Sequence, residues 1–118
     1  MLRKVDKHSG MPAYLQIVNM IKSEILLGNL QKGAQLSSIR DLQQIFDVNI
    51  NTVLKALEKL KAEGYIEAEQ GVGYFIKKDI DVEEKTIDII RECIYKLKNN
   101  KIDYYTAMLI FEEVWKNE

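Results

Sequence analysis

Arg40, Asn49, Asn51, Thr52 and Lys55 are the residues of this chain best suited to chemistry, and that chemistry is recognition rather than catalysis. A guanidinium makes paired contacts with a phosphate or a guanine edge, and a carboxamide reads adenine bidentately. An ammonium reaches phosphate or guanine, and a hydroxyl hydrogen-bonds phosphate. On a helical projection Asn51, Thr52, Lys55 and Lys59 look away from a face made by Val53, Ala56, Leu57 and Leu60. Polar groups on the free face of a helix suit base edges and phosphates. Further on, Gly71 and Gly73 flank Val72, where a backbone that must approach something closely would want glycine. Catalysis finds no comparable constellation. With one His and one Cys there is no metal cluster, and no nucleophile elbow or phosphate loop occurs. Gly71-x-Gly73 is not a dinucleotide fingerprint, because no third glycine opens a helix after it. The chain is therefore expected to be no enzyme and to need no metal or cofactor.

The elements that must position these residues are legible around them. Ser38, with Asp41 three residues on, forms an approximate capping box for a helix whose apolar stripe is Ile39, Leu42, Ile45 and Phe46. Asp47-Val48 allows only a turn, with Val48 between two helices. Asn49 then caps a second helix that runs to Gly64. Tyr65-Ile66 begin a short strand, Gly71-Val72-Gly73 break it, and Tyr74-Phe75-Ile76 return. Before all this, a helix starting near Pro12 carries Tyr14, Ile17, Val18, Ile21 and Ile25 and ends at Gly28. Helix, turn, helix and glycine-tipped hairpin make a winged helix-turn-helix, which lays its second helix in the major groove of DNA.

Residues 12–77 resemble the winged-helix domain of the GntR family of bacterial transcription regulators. The resemblance is carried by Tyr14-Leu15-Gln16-Ile17, Gly28-x-Leu30-x-x-Gly33 and Leu36-x-Ser38-x-Arg40-x-Leu42. It continues through Thr52-Val53-x-x-Ala56-Leu57-x-x-Leu60, Glu63-Gly64-Tyr65-Ile66 and Gly71-x-Gly73-x-Phe75. The Val48-Asn49-x-Asn51-Thr52-Val53 run and the short tail are most similar to the YtrA-type subfamily. The resemblance implies backbone phosphate contacts from Tyr14 and Gln16, and repression as the mode of action. It also exposes departures. Ile50 and Leu54 stand where members commonly carry arginines, and Glu69 and Gln70 stand where basic residues flank the wing tip. Lys32 and Ser37 replace common prolines. Ile50 and Leu54 could extend the core stripe or touch thymine methyls.

Charge is divided along the chain. Residues 1–78 carry 11 Lys/Arg and 8 Asp/Glu, a balance of +3, whereas residues 79–118 carry 6 and 10, a balance of −4. Acidity is thus kept in the tail. Arg3, Lys4, Lys7 and His8 make residues 1–11 a basic arm, solvated or touching phosphate. Residues 78–118 follow the winged domain as a helical tail. There Ile87, Ile90, Ile94 and Leu97 form one stripe, Asn99-Asn100-Lys101 break it, and Asp103 caps a last helix rich in aromatics. Two such helices cannot enclose a core between them, so their apolar surplus must go against the winged domain or a second copy. The tail is read as a dimer handle, with Ile90, Ile94, Leu97, Met108, Phe111 and Trp115 expected to join two copies as a homodimer. A small-molecule effector is not expected from these features. No apolar run approaches a membrane span, and the N-terminus lacks a secretory pattern, so a cytoplasmic protein is expected. The lone Cys93 fits a reducing compartment and is expected to be buried or half-buried. Double-stranded DNA is the expected partner, at Tyr14, Ser38, Arg40, Asn49, Asn51, Thr52, Lys55, Gln70, Gly71 and Gly73. The alternative is a winged-helix interaction module that has lost DNA binding, a reading favoured by Glu67, Glu69 and the absent arginines.

Overall fold

Three of the five helices in this chain begin at a side-chain cap. The computed structural model describes residues 1–118, with α1 (Ala13–Leu26), α2 (Ile39–Phe46), α3 (Ile50–Ala62), β1 (Ile66–Glu69), β2 (Gly73–Ile76), α4 (Glu84–Asn99) and α5 (Tyr104–Asn117). The architecture is mainly α with one small antiparallel hairpin. Ser38 Oγ accepts from the Asp41 N–H at 3.1 Å, Asn49 Oδ1 from the Thr52 N–H at 3.0 Å, and Asp103 Oδ1 from the Thr106 N–H at 2.8 Å. Each bond satisfies a first-turn donor that has no partner inside its helix, an effect of about 1 kcal/mol per cap. Asp47 closes α2 in the left-handed conformation (φ 55°), which turns the chain directly into α3.

The chain forms two compact units, Met1–Val82 and Glu83–Glu118. In the first, α3 packs on both α1 and α2 and on β1. Its core is a single cluster in which Ile17, Ile21, Leu42, Phe46, Val53, Leu57, Leu60, Ile66 and Ile76 are all but inaccessible. The apolar faces expected for the three helices are the faces that meet there.

Two boundaries differ from the sequence reading. The basic arm is not a free terminus: Val5 is buried, and its N–H bonds to the Phe46 carbonyl at 3.1 Å. The Met1 ammonium pairs with the buried Glu24. The Gln16 side chain bonds both N–H and C=O of Asp6, Ser9 Oγ and the Met11 carbonyl, fastening the segment to α1. Residues 78–82, expected with the tail, stay with the first unit, where the Val82 N–H bonds to the Leu26 carbonyl at 2.8 Å. Both segments are held by backbone bonds to distant residues, which local composition does not encode.

The hairpin pairs Ile66 with Ile76, Glu67 with Phe75, Ala68 with Tyr74 and Glu69 with Gly73. Gly73 therefore lies within β2, and the exposed tip is Gln70-Gly71-Val72, closed by the Val72 N–H on the Glu69 carbonyl at 3.0 Å. The residues before α2 add a third edge. Leu36 N–H bonds to the Tyr74 carbonyl and Ile76 N–H to the Ala34 carbonyl, both at 2.9 Å, with Gln35 bridging Phe75.

In the second unit α4 and α5 are joined by a turn in which Lys101 takes a left-handed conformation (φ 59°). Its N–H bonds to the Lys98 carbonyl and that of Ile102 to the Leu97 carbonyl, both at 3.0 Å, which satisfies the end of α4. Ile90, Ile94, Met108, Phe111 and Trp115 are exposed and Leu97 is half-buried. Phe111 and Trp115 stack at 5.7 Å between centroids, their outer surfaces open. Cys93 is exposed, contrary to expectation: it lies on α4 where this unit provides no covering layer. No helix is long and apolar enough to cross a membrane.

Candidate nucleic-acid interface

The N-terminal ends of α1 and α3 converge, and some of the polar residues singled out above meet at that point. Tyr14, Asn49, Asn51, Thr52 and Lys55, with Ala13, line one shallow open depression, and no carboxylate is among them. Ser38 and Arg40 at the start of α2, and Gln70 and Gly71 at the wing tip, lie outside it. All four are exposed, and Arg40 forms no ion pair within the chain.

Two contacts organise the depression. Asn49 Oδ1 accepts both the Thr52 N–H and, at 3.1 Å, the Thr52 hydroxyl. This turns the Asn49 amide so that Nδ2, with two donors, is left without a partner in the chain. It also occupies the Thr52 hydroxyl proton. Lys55 Nζ lies 4.1 Å from the centroid of the Tyr14 ring, a cation–π contact that holds the ammonium at the mouth of the depression. Spacing along α3 could not have revealed it, because Tyr14 belongs to another helix.

The faces of α3 separate cleanly. Val53, Ala56, Leu57 and Leu60 are buried, and Asn51 and Lys55 are exposed. Ile50 and Leu54, for which the sequence left two possibilities, are 47% and 38% exposed and do not extend the core stripe.

The wing glycines have different reasons to be glycine. Gly71 sits at the turn with φ 78° and open space around its α-carbon. Gly73 has φ 144°, and a β-carbon there would stand 2.8 Å from Gln35 Nε2, which itself donates to the Val72 carbonyl at 3.0 Å. The chain approaching Gly73 closely is thus its own Gln35, a wing support the sequence reading missed. Gln16, implied to touch phosphate, is likewise committed inside the chain.

Comparison with known proteins settles what this geometry belongs to. The family profile described as bacterial regulatory proteins, gntR family, matches residues 13–76. Over 113 residues, 94% of this chain and 85% of the relative, the chain is 34% identical to the HTH-type transcriptional repressor YtrA of Bacillus subtilis. The chain belongs to the GntR family. It is a winged helix-turn-helix, DNA-binding transcription regulator, similar to the YtrA type along most of its length, tail included. In structure it is similar to YtrA from Sulfolobus acidocaldarius, a GntR-family transcription factor, with a TM-score of 0.62 and 32% identity over 84% of this chain and 99% of that one. The DNA-binding domain of AraR, solved in complex with operator ORX1, matches 64% of this chain and 92% of its own with a TM-score of 0.56 and 26% identity. These relatives are regulators, not enzymes.

Proposed function

We propose that this GntR-family chain is a cytoplasmic repressor that binds an inverted-repeat operator as a homodimer, with α3 in the major groove and the Gln70–Val72 tip near the adjacent minor groove. The observation that carries the reading is the depression between α1 and α3, where donors of Asn49, Asn51 and Lys55 gather, while the Asp47 carboxylate in the adjoining depression is paired with Lys7. The N-terminal end of such a helix is the part that meets base edges. Asn51 reads adenine through its carboxamide, and Lys55 and Asn49 reach phosphate. Arg40 contacts phosphate or guanine from α2, and Ser38 and Tyr14 border the backbone. Thr52 orients Asn49.

Dimerisation through α4 and α5 is supported by the uncovered Ile90, Ile94, Met108, Phe111 and Trp115. Repression is supported by similarity to the B. subtilis YtrA repressor, which has the same short format. A second reading, an interaction module without DNA binding, draws on exposed Glu67 and Glu69 on β1. A gel shift with DNA from the protein's own promoter region separates them: a specific complex supports the operator-binding reading, and none at micromolar protein supports the second.

A further inference from the structure

We infer that Ile50 and Leu54 are specificity-determining residues that read thymine methyl groups, so that each half-site carries A·T pairs beside the base read by Asn51. The inference rests on the DNA-binding role of α3 and adds the class of base it selects. Leu54 is exposed on the first two turns of α3, and Ile50 is the first residue of that helix, also exposed. They are four residues apart, so they form one apolar ridge. Asn51 lies next to this ridge, and Lys55 lies on the far side of Asn51 at helical spacing. The N-terminal end of α3 therefore presents three strips: apolar, carboxamide and cationic.

Duplex DNA offers matching strips. In the major groove thymine is the base that projects a methyl group, and its paired adenine presents the N6 and N7 edge that a carboxamide reads. An apolar ridge beside an asparagine is complementary to neighbouring A·T pairs. The same ridge offers no hydrogen-bond partner to the guanine O6 and N7 acceptors or the cytosine amino group, and placing it over them would desolvate those groups uncompensated. Ile50 and Leu54 stay outside the core with 47% and 38% of their surface open, on the solvent side of the helix that also carries Asn51 and Lys55.

The test removes the methyl and nothing else. Duplexes selected from a random library by the full-length chain are resynthesised with deoxyuridine for thymidine in each half-site, which leaves every pairing and groove hydrogen bond in place. Affinity for the parent protein is expected to fall about fourfold per contacted thymine, the transfer value of one methyl group. The Ile50→Ala/Leu54→Ala double variant is expected to bind both duplexes alike. Because both positions lie outside the core, the variant should still fold, which its melting curve checks, and each single variant provides a second reading of the same discrimination. Equal binding of the two duplexes by the parent, half-sites without thymine, or undiminished discrimination in the double variant would each overturn the inference while leaving operator binding intact. Failure to select any duplex would overturn both.

Discussion

At Asn49 a single amide serves both the fold and the proposed DNA contact. Its oxygen is fixed by Thr52, so its nitrogen is the group turned outward. Asn49→Asp keeps an equally good cap and puts a negative charge at the favourable end of the helix dipole, so thermal stability should hold or rise. The outward donor becomes an anion facing phosphate, and DNA affinity should fall about tenfold or more. Melting curves and anisotropy titrations on one preparation check both halves. A variant that loses stability and keeps affinity would return the asparagine to a purely structural role. Lys55 offers a different signature. If its ammonium over Tyr14 meets only phosphate, Lys55→Ala should weaken all sequences alike and reduce the salt slope by about 1.

Among the elements, the wing and the turns make predictions that do not involve DNA. Both wing glycines have a positive φ that strains a side chain. Gly73→Ala must adopt φ 144° and push the Gln35 amide off the Val72 carbonyl, whereas Gly71→Ala carries the milder strain of φ 78° in open space, so Gly73→Ala should destabilise the fold more. Thermal unfolding of the two variants ranks them, and equal melting points would contradict this order. At the end of α3, Glu63 is held below its ordinary value of 4.5 chiefly by the Lys22 ammonium at 2.8 Å, with Lys59 adding to it. A depressed carboxylate contributes stability above its unfolded value and loses it as pH falls through the folded one. Glu63→Gln should therefore narrow the gap between melting points at pH 7 and below pH 4.5, and an unchanged gap would count against the pair. These elements were legible to different depths. The caps at Ser38, Asn49 and Asp103 and the core stripe of α3 follow from neighbours a few residues away, so spacing found them. The docking of Val5 on Phe46, the Gln16 clasp, the Gln35 support beneath Gly73 and the Lys55–Tyr14 contact join residues far apart in the chain, and no local pattern announces them. Ile50 and Leu54 lie on the flank of the α3 stripe, where periodicity alone leaves burial and exposure equally open.

For the whole molecule, the decisive matter is what the tail does with its apolar surface. Trp115 is 73% and Phe111 55% exposed, more than a single chain of this size has reason to leave open. Trp115→Ala and Phe111→Ala should raise the dimer dissociation constant, since large aromatics anchor interfaces, and sedimentation equilibrium reads the change directly. A parent monomeric at tens of micromolar would refute the dimer. In the dimer, two-fold symmetry repeats the α3 surface and should place half-sites about one helical turn apart or a multiple of it. The claim on which these rest is that α3 reads base sequence. Its most direct test is the affinity of the full chain and of Asn51→Ala for a selected inverted repeat and for its scrambled counterpart, across several salt concentrations. The parent should prefer the repeat strongly, with steep salt dependence. Asn51→Ala should forfeit about 1–3 kcal/mol on the repeat alone. Equal binding of the two duplexes by the parent, with the variant indistinguishable from it, would contradict the claim.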